Sequence, residues 1–496
     1  MIKERVSDRI TIKDIMQWKN DIVTITAGCG AGKSFFIKNV LYELARRNSK
    51  KILLLLHRTN CKNQFVAEIE ESKKTDIIDI KLYQTLEALY AVHKKEFDFS
   101  EYEYIVCDEF HYFLGDAAFN IVTDVSLNMI LKQDTATRIF MSATSDSMIQ
   151  YINNVKKIET IDYEFDIDYD FIDNLSFFMS DKSLDKCIDE AIQKNVKCIF
   201  FIQSAKKAYS LFKKYKKYCL FNCSKSNINY KYVDKDKIDL MLKNQKFDEL
   251  ILITTTSLDA GVNIVDTELK NIFIDVEDIG TLVQCLGRKR IQSDSDKVDL
   301  YIKTITNQQL AGKSTQLKKK IKMADFFKTH SLKEYIEEYY RTYDSSRMVY
   351  DESLWEQDKG TKKLNELMYF KCKFDISDIS AMLKIGKFGY NKYLANKFGF
   401  MQDGYFNYTI LEEQFAEETL EEYLDSIIGE KIFKNEQKEL IDKIGLKDAK
   451  RRIQKSINQF NVYFEENKMP YTIISKTTKD KNQKTVRYWE INSLTG

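Results

Sequence analysis

Eight consecutive residues, Ala27-Gly28-Cys29-Gly30-Ala31-Gly32-Lys33-Ser34, hold the densest chemistry in the chain. Gly28, Gly30 and Gly32 let backbone N–H groups close around phosphate oxygens at a helix N-terminus. Lys33 can reach the β and γ oxygens, and Ser34 can ligand Mg²⁺. Such a loop needs an apolar strand before it and a helix after it. Residues 22–26 supply the first, and Ser34-Phe35-Phe36-Ile37 onward supply the second. Taken alone, the loop says that a nucleotide binds.

Five further motifs follow. Asp108-Glu109-Phe110-His111 comes directly after the apolar run 104–107, which puts two carboxylates at the carboxyl edge of a sheet. Asp108 would hold Mg²⁺, and Glu109 would orient and deprotonate an attacking water. A DE pair after a strand is common by itself; its place downstream of the phosphate loop is what favours chemistry over an ordinary surface pair. His111 alone reads more readily as structural than as catalytic. Then come Ser142-Ala143-Thr144, Gln203-Ser204, the stretch 255–264, and Gln284-Cys285-Leu286-Gly287-Arg288-Lys289-Arg290.

The elements that must position these residues are short apolar runs at 22–26, 52–56, 104–107 and 138–141, separated by helix-length segments. That pattern predicts a parallel sheet covered on both faces. It pauses at 161–173, an acidic, aromatic linker or edge strand, and resumes at 197–202, 250–254, 271–275 and 298–302 as a second α/β unit. Beyond about 310 the chain turns to charged, helix-like segments at 313–327 and 332–342. The expectation is an α/β chain of two parallel-sheet lobes, 1–165 and 166–310, followed by a mostly helical accessory region, 311–496.

Within that last region, 376–398 could form two helices around Gly386-Lys387, either a helix-turn-helix or plain packing. Residues 447–461 read as a helix bearing Lys450, Arg451, Arg452 and Lys455. After it, 471–475 and 485–491 read as a hairpin. A basic helix followed by a basic hairpin resembles a winged-helix unit; a solvated charged end is the alternative.

Composition sets outer limits. The 496 residues, 44% hydrophobic, suffice for about three domains. Net charge is only +2, so a nucleic-acid surface must come from local segregation of charge. The nine cysteines and four histidines are scattered, which argues against a zinc site or a disulfide framework. No apolar run reaches the roughly 18 residues of a membrane span, so no membrane association is expected and the cytoplasm is the default. A single proline and an excess of Lys, Ile, Asn, Tyr and Phe are the composition of an AT-rich coding sequence, as in low-GC bacteria, their phages and mobile elements.

In order and spacing the six motifs resemble those of the superfamily 2 helicases of the DExH type, in the broad group that includes helicase-like restriction subunits and the RNA sensors of innate immunity, over about residues 15–305. The resemblance implies two RecA-like lobes, ATP and Mg²⁺ as cofactors, and movement on nucleic acid. It implies that Ser142, Ala143 and Thr144 couple hydrolysis to movement, with His111 in a coupling role. Gly261 and Asn263 fall at recurrent positions of the fifth motif, on the nucleotide side. Gln284, Arg288 and Arg290 match the sixth, whose arginines reach the γ-phosphate across the cleft. A solvated basic loop is the alternative for that run.

The GRxR spacing leaves open which arginine is the finger. No adenine-reading glutamine sits at the usual place, because Gln17 is too close to Lys33; Trp18 is either a base-stacking partner or a core aromatic. Arg58, Gln84 and Thr255 match positions that touch the nucleic-acid backbone in the family, although the first two stand in stretches that could be ordinary loops. The resemblance implies an ATP-dependent helicase or translocase, with DNA favoured over RNA as partner and replication or processing proteins around it. The alternatives are an RNA helicase, a nuclease-coupled motor, or an ATP-switched origin-recognition factor that grips without moving. For a nuclease, the one candidate of ExK type is Glu436-Gln437-Lys438, in a helix-like region.

Overall fold

Runs of apolar and β-branched residues buried on both faces build two parallel sheets. The computed structural model describes residues 4–494 except 29, 94, 118–119, 121–122, 257–262, 341–347, 355–358, 417–419, 449–451 and 480–484. The chain divides into two units, Met1–Tyr408 and Thr409–Gly496.

In the first sheet the strands are β1 (Ile22–Thr26), β2 (Lys51–Leu56), β3 (Ile78–Leu82), β4 (Tyr102–Asp108), β5 (Thr137–Ser142) and β6 (Ile161–Glu164), in the order β3-β2-β4-β5-β1-β6. All pair in parallel, with Leu54 beside Val106, Val106 beside Ile139 and Ile25 beside Met141. The two-residue period of a strand splits one sequence between two cores. Leu53, Leu55, Ile105, Cys107 and Phe140 fill one. Ile52, Leu54, Leu56, Val106, Ile139 and Met141 fill the other. Because β5 lies between β1 and β4, the phosphate loop, Ser142 and the Asp108-Glu109 pair emerge side by side on one edge.

The second sheet runs β7 (Ile172–Phe178), β12 (Val298–Lys303), β11 (Leu269–Asp275), β8 (Lys197–Ile202), β10 (Ile251–Thr254) and β9 (Cys219–Asn222), again parallel. These are the two RecA-like lobes. The acidic stretch 161–173 divides between the edge strand β6, paired with β1, and the start of β7. Three strands absent from the sequence reading, β3, β7 and β9, carry polar residues or are short, which breaks the apolar run that marks the others.

The two long helices that follow lobe 2 in the chain pack on lobe 1. Ile321 and Ala324 of helix Asn307–Thr329, and Leu367, Met368 and Cys372 of helix Glu366–Lys384, join the core that holds Leu53 and Phe140. Asn365 caps the second helix through Met368 N–H, and its Nδ2 donates to Ala117 O at 3.0 Å. A hairpin, Val349–Leu354 with Lys359–Leu364, interrupts the expected run of helices.

Helix Glu366–Lys384 is followed by helix Gly389–Lys397. A Cβ on Gly389 would lie 2.0 Å from Met382 O, so only glycine permits this approach. Tyr390, Asn391, Leu394 and Ala395 of the second helix are buried, and Asn391 Nδ2 donates to Thr304 Oγ1 at 3.2 Å. These buried residues take up one side of the second helix and leave Asn396 and Lys397 exposed, which both a helix-turn-helix and plain packing allow.

The unit Thr409–Gly496 places Leu424, Ile432, Leu440, Phe460, Phe464, Ile473 and Ile491 in one core. Its hairpin is Tyr471–Lys479 with Thr485–Ser493, longer than expected. The helix expected over 447–461 is corrected. Gly445, in the left-handed region at φ 62°, ends helix Lys434–Ile444, and the next helix is Ile457–Glu466. Between them Asp448 Oδ1 accepts from Arg452 N–H at 2.8 Å and Lys447 bridges Ile453, so a side chain competes with helical hydrogen bonds. Arg452 and Lys455 therefore lie outside a helix, and Lys450 and Arg451 outside the described residues.

Candidate functional site

The phosphate loop is held by its neighbours. Ala27 N–H donates to Ser142 O at 3.0 Å, and Val6 N–H donates to Ala31 O at 2.9 Å. Gly30 and Gly32 have φ of 85° and 87°, so a side chain at either would strain the turn. Gly32 O accepts from Phe36 N–H at the start of the following helix. Lys33 Nζ lies over the loop, donating to the carbonyls of Ala27 (2.6 Å) and Gly28 (3.2 Å). Cys29 lies outside the described residues.

At the end of β4, Asp108 and Glu109 face the same space as Lys33. Glu109 has φ 52°, a left-handed backbone that costs a non-glycine residue of order 1 kcal/mol or more and is tolerated where the surroundings fix it. Burial, and then the Glu109 charge, push Asp108 up to about 7 against the pull of Lys33. Burial would also raise Glu109, but the hydrogen bond with His111 and the Lys33 ammonium outweigh it and hold this carboxyl below its ordinary range. Asp108 Oδ1 is buried with no hydrogen-bond partner. A buried, unsatisfied carboxylate oxygen beside a phosphate loop fits a divalent cation shared with Ser34. Among the described residues, no cluster of His, Cys, Asp and Glu fits a metal by itself.

His111 joins the lobes. Its Nδ1 lies 2.9 Å from Ser142 Oγ and 3.2 Å from Glu109 Oε2, while its Nε2 lies 2.6 Å from Gln284 Nε2 in lobe 2. Ser142 Oγ also accepts from Thr144 N–H at 3.0 Å. Gln284 sits on helix Ile279–Leu286, whose N-cap Asp278 accepts from Thr281 N–H at 2.8 Å. Lys371 of the accessory helix approaches Asp278 at 3.5 Å and Asp375 at 2.7 Å. Asp278 was missed in the sequence reading; the signal was an Asp-x-x-Thr start ahead of an apolar run.

The sixth motif continues as extended backbone: Ile264 N–H donates to Arg288 O and Arg290 N–H to Ile264 O. Alternation then sends the middle residue the other way. Lys289 is buried on Asp296, at 2.7 and 2.8 Å, and on Asp266 O. Arg290 Nε donates to Asn263 Oδ1 at 2.6 Å and leaves a buried Nη1 without a hydrogen-bond partner. Arg288 is buried, and its charge reaches His57 and Cys61 of lobe 1. Gly261 lies outside the described residues.

The other expected residues divide. Arg58 Nε donates to His57 Nε2 at 2.9 Å; burial, with the His111 and Arg58 charges, pushes His57 down to about 3. Gln84 spends its amide N–H groups on His57 O (3.1 Å) and Tyr112 OH (3.2 Å), an internal role. Thr255 is buried at the end of β10, and the next residue, Thr256, lines a cavity of about 500 Å³. Arg58, His111, Ala143, Thr144 and Gln284 also line that cavity, and the described residues of the phosphate loop do not. Trp18 is buried with its ring 5.9 Å from Tyr163, which is the core reading. Ser204 caps helix Ala205–Tyr215, and Gln203 accepts from Glu277 N–H at 3.1 Å. Glu436, of the nuclease alternative, caps its own helix through Phe433 N–H.

Residues 3–147 match the family described as "Type III restriction enzyme, res subunit". No curated protein matches the sequence. Solved structures similar to the chain include the DEAD-box helicase Mss116 bound to ssRNA and UDP-BeF, with TM-score 0.44, 17% identity, and 59% of this chain and 68% of that chain covered. S. cerevisiae Dbp5 bound to RNA and ADP BeF3 has TM-score 0.41 and 13% identity, covering 57% and 79%. The DUF1998 helicase MrfA bound to DNA has TM-score 0.41 and 16% identity, covering 59% and 47%. The similarity to the restriction-subunit family thus covers the first lobe, whose His111 meets Gln284 of the second lobe at 2.6 Å.

Proposed function

We propose that this protein is a DExH-type, ATP-hydrolysing motor that moves on nucleic acid, with DNA the favoured track. The observation that carries it is the hydrogen-bonded bridge Ser142–His111–Gln284, which links the carboxylate edge of lobe 1 to the arginine-bearing motif of lobe 2. A nucleotide-binding protein without moving parts has no need of such a link.

In this reading the glycine loop and Lys33 bind the β and γ phosphates of ATP. Ser34 and Asp108 hold Mg²⁺, which supplies charge neutralisation at the phosphates. Glu109, held ionised by His111 and Lys33, accepts the proton of the attacking water. Arg288 and Arg290 offer fixed cations to the transferring phosphoryl group from the other lobe. His111 reports the state of this site to Gln284, and Thr144 carries it toward the cavity lined by Arg58 and Thr256.

The test is multiple-turnover ATPase measured with single-stranded DNA, duplex DNA and RNA, paired with displacement of a bound roadblock. Stimulation by DNA above RNA, with displacement, is the expected result. Stimulation without displacement would favour a switch that grips, and stimulation by RNA alone would move the track to RNA.

A further inference from the structure

Residues 205–235 of lobe 2 contain nine lysines and a single acid, Asp234, in a chain whose net charge is only +2. That acid is spent on capping helix Lys235–Asn244, its Oδ1 accepting from Lys237 N–H at 3.2 Å. The segment includes helix Ala205–Tyr215, strand β9 and the short helix Ile228–Tyr232. Its loops leave the carboxyl ends of β8 and β9, on either side of β10, and Thr255 N–H donates to Asn222 O at 3.2 Å. Lys206 and Lys225, on the segments that follow β8 and β9, therefore lie on the sheet edge of Thr255 and Thr256, whereas Lys216 and Lys217 lead into the amino end of β9.

Aromatic rings run through it from core to solvent. Phe212 stacks on Phe221 at 5.1 Å, and Phe221 meets Tyr209 edge-on at 6.0 Å. Tyr209 stacks on Tyr232 at 4.5 Å with the planes 20° apart. Tyr232 is 44% exposed, and Ile228 beside it is 80% exposed. Lys231 Nζ lies 5.1 Å from the Tyr232 ring, and Lys235 Nζ lies 5.7 Å from that of Tyr230. A solvated charged face needs no ring stack anchored in the core. A rigid exposed ring among cations is what a strand of unpaired bases needs: a π-face for a base and ammonium groups for the phosphates on either side.

The geometry points to Tyr232, backed by Tyr209 and flanked by Lys213 and Lys231, as a base-stacking platform for single-stranded nucleic acid on lobe 2. It rests on the motor reading above and adds a contact to bases, where the motif residues offer contacts to the backbone.

The test measures binding of the full-length protein to a thymidylate oligomer, a uridylate oligomer and an abasic oligomer of the same length, by fluorescence anisotropy. Tyr232→Ala should weaken binding to the base-bearing oligomers about tenfold, since one base stack contributes roughly 1–3 kcal/mol. It should change binding to the abasic oligomer little, and Tyr232→Phe should restore the affinity. The thymidylate and uridylate arms tell DNA from RNA. A melting curve checks that each variant is folded. Equal affinity of wild type and Tyr232→Ala for the base-bearing oligomers would overturn the platform and leave the surface to a protein partner. Equal loss on the abasic oligomer would overturn stacking. A wild-type protein that binds none of the oligomers would instead overturn the motor reading itself.

Discussion

Gln284 Nε2 lies 2.6 Å from Nε2 of His111, the ring whose other nitrogen is 2.9 Å from Ser142 Oγ. One imidazole thus touches groups from both lobes. If this bond transmits the state of the nucleotide site, His111→Ala and Gln284→Ala should each reduce nucleic-acid stimulation of ATPase, and the double variant should lose no more than the worse single one. The coupling energy from that cycle is expected at about 0.5–3 kcal/mol. Additive losses would show the two side chains to act independently.

Lys33→Ala and Glu109→Gln should fail differently. Both should abolish hydrolysis, because Lys33 addresses the phosphates and Glu109 the water. Only Glu109→Gln should keep near-normal affinity for ATP, as read by a fluorescent nucleotide analogue. Equal loss of binding in the two would remove the distinction of roles.

The sixth motif separates rate from stability within three residues. Arg290→Ala should lower kcat by about 10³ with little change in Tm, as expected of a cation aimed at the transferring phosphoryl group. Arg288→Ala should lower kcat in the same direction. Lys289→Ala should instead lower Tm, because it strands buried Asp296; breaking such a pair costs about 3–5 kcal/mol. A Lys289→Ala protein of normal Tm, or an Arg290→Ala protein of normal kcat, would contradict the alternation.

Asp108 gives a pH signature. Burial and the Glu109 charge push it up to about 7. A carboxyl raised in the folded state contributes stability in full below its unfolded pKa, and that contribution is lost as pH rises through the folded value. The Tm of wild type relative to Asp108→Asn should therefore fall from about pH 4 to about pH 7 and level off above it. Mg²⁺ with a nucleotide should offset the fall in wild type and not in the variant. A pH-independent difference would place no such burden on Asp108.

The boundary at Tyr408 sets the useful truncation. A chain ending at 408 keeps every phosphate-site motif and should hydrolyse ATP at the basal rate. If Arg452, Lys455, Lys479 and Arg487 contact phosphates, its nucleic-acid affinity should drop, and the slope of log K against log salt on duplex DNA should shrink by about 0.9 per lost contact. Unchanged affinity and slope would return those cations to ordinary solvation.

The sequence by itself determined what is local. The phosphate loop between β1 and its helix, the carboxylates that close β4, and Ser142 closing β5 were legible because contiguous residues fix both strand and loop, and an apolar run buried on both faces leaves a plain trace. Strands β3, β7 and β9 were less visible, since polar residues or short length dilute that trace. Tertiary structure alone decided the pairings between distant segments. His111 and Gln284 are 173 positions apart. The opposite facing of Lys289 and Arg290 depends on a bridge to Ile264, and the place of helix Glu366–Lys384 depends on a core built mostly before residue 160. Where Asp448 accepts from the backbone N–H of Arg452, the expected basic helix is not formed at Arg452 and Lys455. Periodicity reports which residues seek burial; which surface receives them is settled only when the sheets are formed.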